Sequence, residues 1–133
     1  MEATLQDIRH SYEQMPFFQF IGFEIVKFEE EDVIIKLDIH NNLLNVNETL
    51  HGGIHAAMID QVLSMTVRTK SKTRCATINL SLNYLAPVES GTIYAKGRML
   101  QIGYKIATVE AIVYTEEGNI LAKGTGTFKL IRD

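Results

Sequence analysis

Apolar and polar positions change period several times along this chain. Leu5, Ile8 and Tyr12 fall at helical spacing among good helix formers, which predicts a short amphipathic helix over residues 1–15 that stops before Pro16. FIGFEIVKFEE and EDVIIKLDIH then alternate, or run with β-branched residues, on either side of an acidic EEED turn, and they read as a hairpin. NNLLNVNE is an Asn-rich irregular loop. From Ile54 to Val67 the apolar positions spread almost all round a helical wheel, so a helix over residues 51–70 is buried on most sides. Its one sizeable polar patch gathers Asp60, Gln61 and Ser64, with Ala57 among them. From Cys75 onward the chain is strand after strand: CATINLSLNYLAP, GTIYAKGRMLQIG, KIATVEAIVYTEEG and NILAKGTGTFKLIR, the last two joined through Glu117-Gly118-Asn119. The order is β-β-α-β-β-β-β. One helix buried nearly all round needs a strongly curved antiparallel sheet of about six strands wrapped about it, an α+β class.

Composition narrows the function classes. A chain of 133 residues with 46% hydrophobic and 22% charged side chains is expected to form a single domain, 1–133, with a real core. The formal net charge of −3 excludes a nucleic-acid backbone as the main partner. The single cysteine, Cys75, excludes an internal disulfide framework and fits a reducing compartment. Met1-Glu2 opens no basic, apolar leader, and no run approaches the roughly 18 apolar residues of a bilayer span. The expectation is a cytoplasmic protein with no membrane partner.

Two features carry chemistry. His51-Gly52-Gly53 stands where the long helix starts, and glycines there let a ligand approach the backbone closely. First-turn N–H groups have no intrahelical partner and sit at the positive end of the helix dipole, a ready site for a carbonyl oxygen that becomes negative under attack. An ordinary glycine-softened junction would look the same. Asp60, a poor mid-helix residue, is the second feature. Ala56, Ile59, Leu63 and Val67 around it would strip it of water and raise its basicity, so it can act as base or nucleophile. The plainer alternative is a carboxylate capped by Ser64 or Gln61. Gly52 and Asp60 are eight residues apart, hence about 12 Å along one helix axis and about 80° around it. They cannot both touch one acyl carbon from the same helix. If both act, the amide and the acid come from two chains with antiparallel helices, which predicts a two-fold dimer with interfacial sites. No Gly-x-Ser-x-Gly elbow occurs. A carboxylate aided only by a helix terminus suits an activated acyl group, and a thioester qualifies because its thiolate leaves at a conjugate pKa of about 8.5 without a general acid.

Asn45, His51-Gly52-Gly53 and Asp60 (N-x5-HGG-x6-D), together with TINLSLNYLAP, resemble the hotdog-fold acyl-CoA thioesterases of the phenylacetate-degradation and human thioesterase superfamily member 2 type, over about residue 20 to the end. The resemblance implies a hotdog fold, homodimers that pair into tetramers, an acyl-CoA substrate, and neither metal nor cofactor. By position it implies Asp60 as the carboxylate that activates water or attacks the thioester, and Gly52 as the backbone donor to its oxygen. It implies Asn45, from the opposite chain, as an amide holding the carbonyl or water, with Ser64 and Thr77 as hydroxyls orienting water or carboxylate. His51 is expected to shape the loop, and Gly53 to help bind the substrate beside Gly52. Glu48 stands where relatives commonly have Gly, and Ala86 where many carry an Arg associated with coenzyme A.

Other residues have duller readings. His51 and His55 have a zinc-compatible i, i+4 spacing but no third ligand beyond Glu48, and are expected as a loop His and a helix-surface His. Cys75 is expected to be a buried thiol. Arg68, Lys70, Lys72 and Arg74 suit a helix C-terminus, or alternatively cradle coenzyme A phosphates, as does Lys105. Phe17, Phe18, Phe20 and Phe23 are expected to cover the sheet end or line an acyl pocket. The leading expectation is an acyl-CoA thioesterase. Its rivals are an enoyl-CoA hydratase or dehydratase pairing His51 with the acid, and a non-catalytic acyl-CoA-binding module.

Overall fold

The computed structural model describes residues 3–132. Helix α1, Leu5–Glu13, starts with a capping box: Asp7 N–H donates to Thr4 Oγ1 at 3.0 Å, and Thr4 N–H to Asp7 Oδ2 at 3.3 Å. It buries Ile8 and Tyr12. The expected strand from Phe20 begins later, because a second helix, α2, takes up Pro16–Ile21. Pro16 ends one helix and starts the next, since its fixed φ suits a first helical position. Gly22, at φ 100°, stops α2 in a left-handed conformation.

Strands β1 (Glu24–Glu29) and β2 (Asp32–Asp38) form the expected hairpin, and a loop with one 3-10 turn leads to α3, Gly52–Ser71. Strands β3 (Arg74–Tyr84), β4 (Thr92–Ile102), β5 (Ile106–Thr115) and β6 (Ile120–Ile131) follow. All pair antiparallel in one sheet ordered β1-β2-β4-β5-β6-β3. The sheet curls around α3, which is the hotdog arrangement.

The core lies between α3 and the concave face. Met58, Ile59, Val62, Leu63, Met65 and Val67 are fully buried against strand residues such as Val33, Ile35, Ile93, Val109, Val113 and Phe128. Helix and sheet meet most closely at Gly97 of β4, where a Cβ would collide with the Thr66 hydroxyl. That hydroxyl donates to Val62 O at 2.7 Å, so the crossing leaves no orphaned donor. Strand β3 is paired along one side by β6 and forms an edge of the sheet. Most of its residues are exposed, including Ile78 and Tyr84, each at 57%.

Candidate functional site

The stripe of α3 left uncovered by the sheet runs through Gly53, Ala56, Ala57, Asp60, Gln61, Ser64 and Arg68, none of which is buried. Asp60 is therefore half-buried in the protomer and not dry, because the apolar neighbours expected to shield it, Ile59 and Leu63, turn toward the sheet instead. Thr77 of β3 donates its hydroxyl to Asp60 Oδ1 at 2.9 Å. Among the described residues Oδ2 has no partner, which leaves it for a proton or a carbonyl carbon.

Asp60 opens into a cavity of about 540 Å³ between α1, α3 and the β3–β6 end. Its apolar wall is Met15, Phe128 and Ile131, and none of Phe17, Phe18, Phe20 or Phe23 reaches it. Phe18 and Phe23 pack together in the core at 5.5 Å between ring centres, while Phe17 and Phe20 lie exposed. The polar wall includes Tyr12, Gln61, Ser64, Arg68 and Arg74. Ser64 Oγ donates to Gln61 O at 3.0 Å, so the 2.8 Å contact with Tyr12 is one in which the phenol donates to Ser64. Burial pushes the Tyr12 phenol up to about 12, against the lowering effect of the Ser64 bond, so it stays a neutral donor. Gln61 Oε1 is buried without a partner among the described residues. Cys75 is half-buried on this wall, its thiol pushed up to about 11, chiefly by burial. A neutral thiol there is no nucleophile.

The helix start lies in a separate cavity of about 330 Å³ lined by Asn45, Leu50, Gly52, His55, Tyr84 and Ala86 among others. The two cavities share no lining residue. His51 is the N-cap of α3 and satisfies most of the first turn. Its Nδ1 accepts from Gly53 N–H at 2.8 Å, and its carbonyl accepts from Ile54 at 2.9 Å and His55 at 3.4 Å. Among the described residues Gly52 N–H is the first-turn amide with no protein acceptor. Gly53, by contrast, is tied to His51.

Asn45 holds the loop before the helix. Its Oδ1 accepts from Asn47 N–H at 2.9 Å and Thr49 N–H at 3.1 Å, and its Nδ2 donates to Thr49 Oγ1 at 3.0 Å. One Nδ2 proton remains for a guest. Glu48 in this loop has φ 61°, the left-handed region glycine adopts most readily. His55 was expected on the helix surface, but it is only 4% exposed because the end of β3 crosses over it. The Tyr84 ring stands edge-on to it at 6.0 Å, and its hydroxyl donates to Gly52 O at 3.2 Å. Burial lowers the His55 pKa, so the ring is neutral near pH 7, and its Nδ1 has no partner among the described residues.

The candidate phosphate ligands separate. Arg68 faces the Asp60 cavity, its Nε donating to Thr73 O at 3.1 Å and its guanidinium 5.8 Å from the Tyr12 ring centre. Lys70 turns away to Glu30 and Glu31, each at 3.7 Å. Lys105 lies on the convex side of the sheet, outside both cavities. Tyr12 and Tyr84 carry no chemical signature in the sequence. Tyr12 meets Ser64 across 52 residues, a contact that no local spacing encodes.

The family model of the thioesterase superfamily matches residues 47–122. A Saccharolobus solfataricus protein named as an esterase is 28% identical, covering 98% of this chain and 87% of its own length. The medium/long-chain acyl-CoA thioesterase YigI of Escherichia coli is 26% identical, covering 86% of this chain and 84% of its own. A solved thioesterase-superfamily structure superposes at 25% identity with a TM-score of 0.87, covering 96% of this chain and 98% of that one. The Escherichia coli PaaI protein of the phenylacetic acid degradation operon superposes with a TM-score of 0.90, covering 96% and 92%, and at 16% identity it speaks for the fold alone. No described helix is long and apolar enough to cross a membrane. Since the matched segment takes in more than half of the chain, with all of α3 and strands β3 to β5, the chain belongs to the thioesterase superfamily, and thioester hydrolysis is the class of chemistry that membership supports.

Proposed function

We propose that this protein hydrolyses acyl-CoA thioesters at a site assembled from two copies of the chain. The observation that carries this reading is the division of the machinery. Asp60, held by Thr77, faces one cavity, while the unused Gly52 amide, Asn45 and Tyr84 face another. Strand β3 spans both, with Thr77 toward one end and Tyr84 at the other. Pairing the open β3 edges of two protomers antiparallel about a two-fold axis brings each Asp60 end beside the partner's Gly52 end. It also covers the polar stripe of α3 and takes water from Asp60.

In such a site the thioester oxygen accepts from Gly52 N–H, and the developing oxyanion gains from the helix dipole. Asp60 takes a proton from water as it attacks the carbonyl, or attacks the carbon itself to form an anhydride that water then opens. The tetrahedral intermediate collapses with loss of coenzyme A thiolate, which needs no general acid. His51 accepts Gly53 N–H on Nδ1, which puts the proton of the neutral ring on Nε2, so the ring offers no free lone pair as the base a hydratase reading would pair with the acid.

A thiol-release screen over acyl-CoAs of varied chain length and aromaticity tests the proposal, with Asp60→Asn alongside. The variant is expected to keep its fold and association state while kcat falls about 10²–10⁴-fold, the scale of a general base. Full activity in Asp60→Asn, or hydration of crotonyl-CoA without free thiol, would refute it.

A further inference from the structure

On the convex side of the sheet, behind the Asp60 cavity, lies a groove of about 830 Å³ lined by Tyr104, Lys105, Ile106, Lys129, Ile131 and Arg132 among others. No acidic side chain lines it among the described residues. The acids that form ion pairs serve Arg9, Lys27, Lys70, Lys72, Arg98 and Lys123, and among the described residues none pairs with Lys105, Lys129 or Arg132. Within a chain of net charge −3, three cations of one concavity thus have no acidic partner among the described residues.

The groove also has a flat component. The Arg132 guanidinium lies over the Tyr104 ring at 4.4 Å, held there by Nε–H donation to Tyr104 O at 2.7 Å, and the ring is 70% exposed. Leu130 N–H donates to Lys105 O at 2.8 Å and fixes the turn that carries both Tyr104 and Lys105 against β6. Cations beside a preorganised aromatic–guanidinium stack suit a ligand that is polyanionic at one place and planar at another.

The groove connects to the proposed reaction site. Ile131 lines both cavities, and Arg74, its register partner on β3, lines the Asp60 cavity together with Arg68. Cations therefore run from Arg68 and Arg74 around the end of the sheet to Arg132, Lys105 and Lys129. We propose that this convex groove holds the adenosine-phosphate end of the coenzyme A ester, its phosphates on Lys105, Lys129 and Arg132 and its base on Tyr104. The inference rests on the acyl-CoA reading above and assigns to that substrate a second contact region outside the reacting cavity.

Calorimetric titration with coenzyme A, and with pantetheine, which lacks the nucleotide, tests it. Wild type is expected to bind coenzyme A at least tenfold more tightly than pantetheine. The double variant Lys105→Glu/Lys129→Glu is expected to weaken coenzyme A about tenfold or more, the scale of losing two charge-assisted contacts. Lys36→Glu/Lys96→Glu changes the net charge equally elsewhere on the convex face and is expected to bind as wild type does. Tyr104→Leu, measured in parallel, keeps every charge and is expected to weaken coenzyme A but not pantetheine. Equal wild-type affinity for coenzyme A and pantetheine, or equal losses in the two charge-reversed doubles, would overturn the groove. Coenzyme A bound through the groove without thiol release from any ester would sink the hydrolase reading and leave the groove standing. Thiol release whose KM ignores Lys105→Glu/Lys129→Glu would do the reverse.

Discussion

His51 determines which amide at the start of α3 is left without a protein acceptor among the described residues. By capping Gly53 with its ring and taking Ile54 and His55 on its carbonyl, it removes three donors from competition and leaves Gly52. A helix N-terminus that could otherwise bind any anion becomes a single directed N–H, which is what stabilisation of one oxyanion needs. One turn on, His55 is a different histidine. It is buried under the end of β3 with its pKa held below the ordinary 6.5 by desolvation. Between pH 6.5 and that lower folded value the unfolded chain binds a proton and the native state does not. Stability is therefore complete above about pH 6.5 and is lost as the pH falls toward the folded pKa. Thermal unfolding followed from pH 7.5 to 5 should show Tm falling on the acid side. His55→Gln, which cannot titrate, should lose part of that slope. Parallel wild-type and variant curves would mean that the imidazole accepts its proton without opening the structure.

At the scale of elements, the distance between helix and sheet is set by small residues at a few crossings. Gly97 is the tightest, since an added methyl has only the Thr66 hydroxyl and the Val62 carbonyl to displace. Gly97→Ala should destabilise by about 1–3 kcal/mol, as overpacking does, and lower Tm by several degrees. An unchanged Tm would show that α3 can shift along the sheet. The strands and α3 were legible in the sequence because period-2 alternation and a nearly all-round apolar wheel are local patterns imposed by burial. Helix α2 was not, because Pro16 reads as a stop and its role as a first helical residue depends on Gly22 six positions later. At the site, Asp60 and Gly52 stood out by residue type. The depth of His55 and the partners of Tyr12 and Tyr84 depend on which strand end crosses which helix turn, and no spacing along the chain records that.

For the whole molecule, the proposed function makes one protomer half of a catalytic unit. An eleven-residue edge strand with apolar side chains such as Ile78 exposed is an unprotected pairing surface. The same strand touches both Asp60, through Thr77, and Gly52, through Tyr84, so in the proposed dimer a partner that covers the edge also completes the site. Gly52→Pro provides a selective test. Pro is favoured at a first helical position, His51 already has the extended ψ of 135° that a residue before Pro prefers, and the substitution removes the one N–H at issue. Alone, Gly52→Pro should lower kcat by about 10²–10³-fold, the scale of losing an oxyanion donor. If each site takes Asp60 from one chain and Gly52 from the other, a mixed dimer of Asp60→Asn and Gly52→Pro subunits has one doubly damaged site and one intact site. Unfolding the two variants together and refolding them in equal amounts should form about half mixed dimers and restore about a quarter of the wild-type rate, from two nearly inactive proteins. Both groups acting within one chain would leave every site with one lesion, and the refolded mixture would stay as slow as its parents.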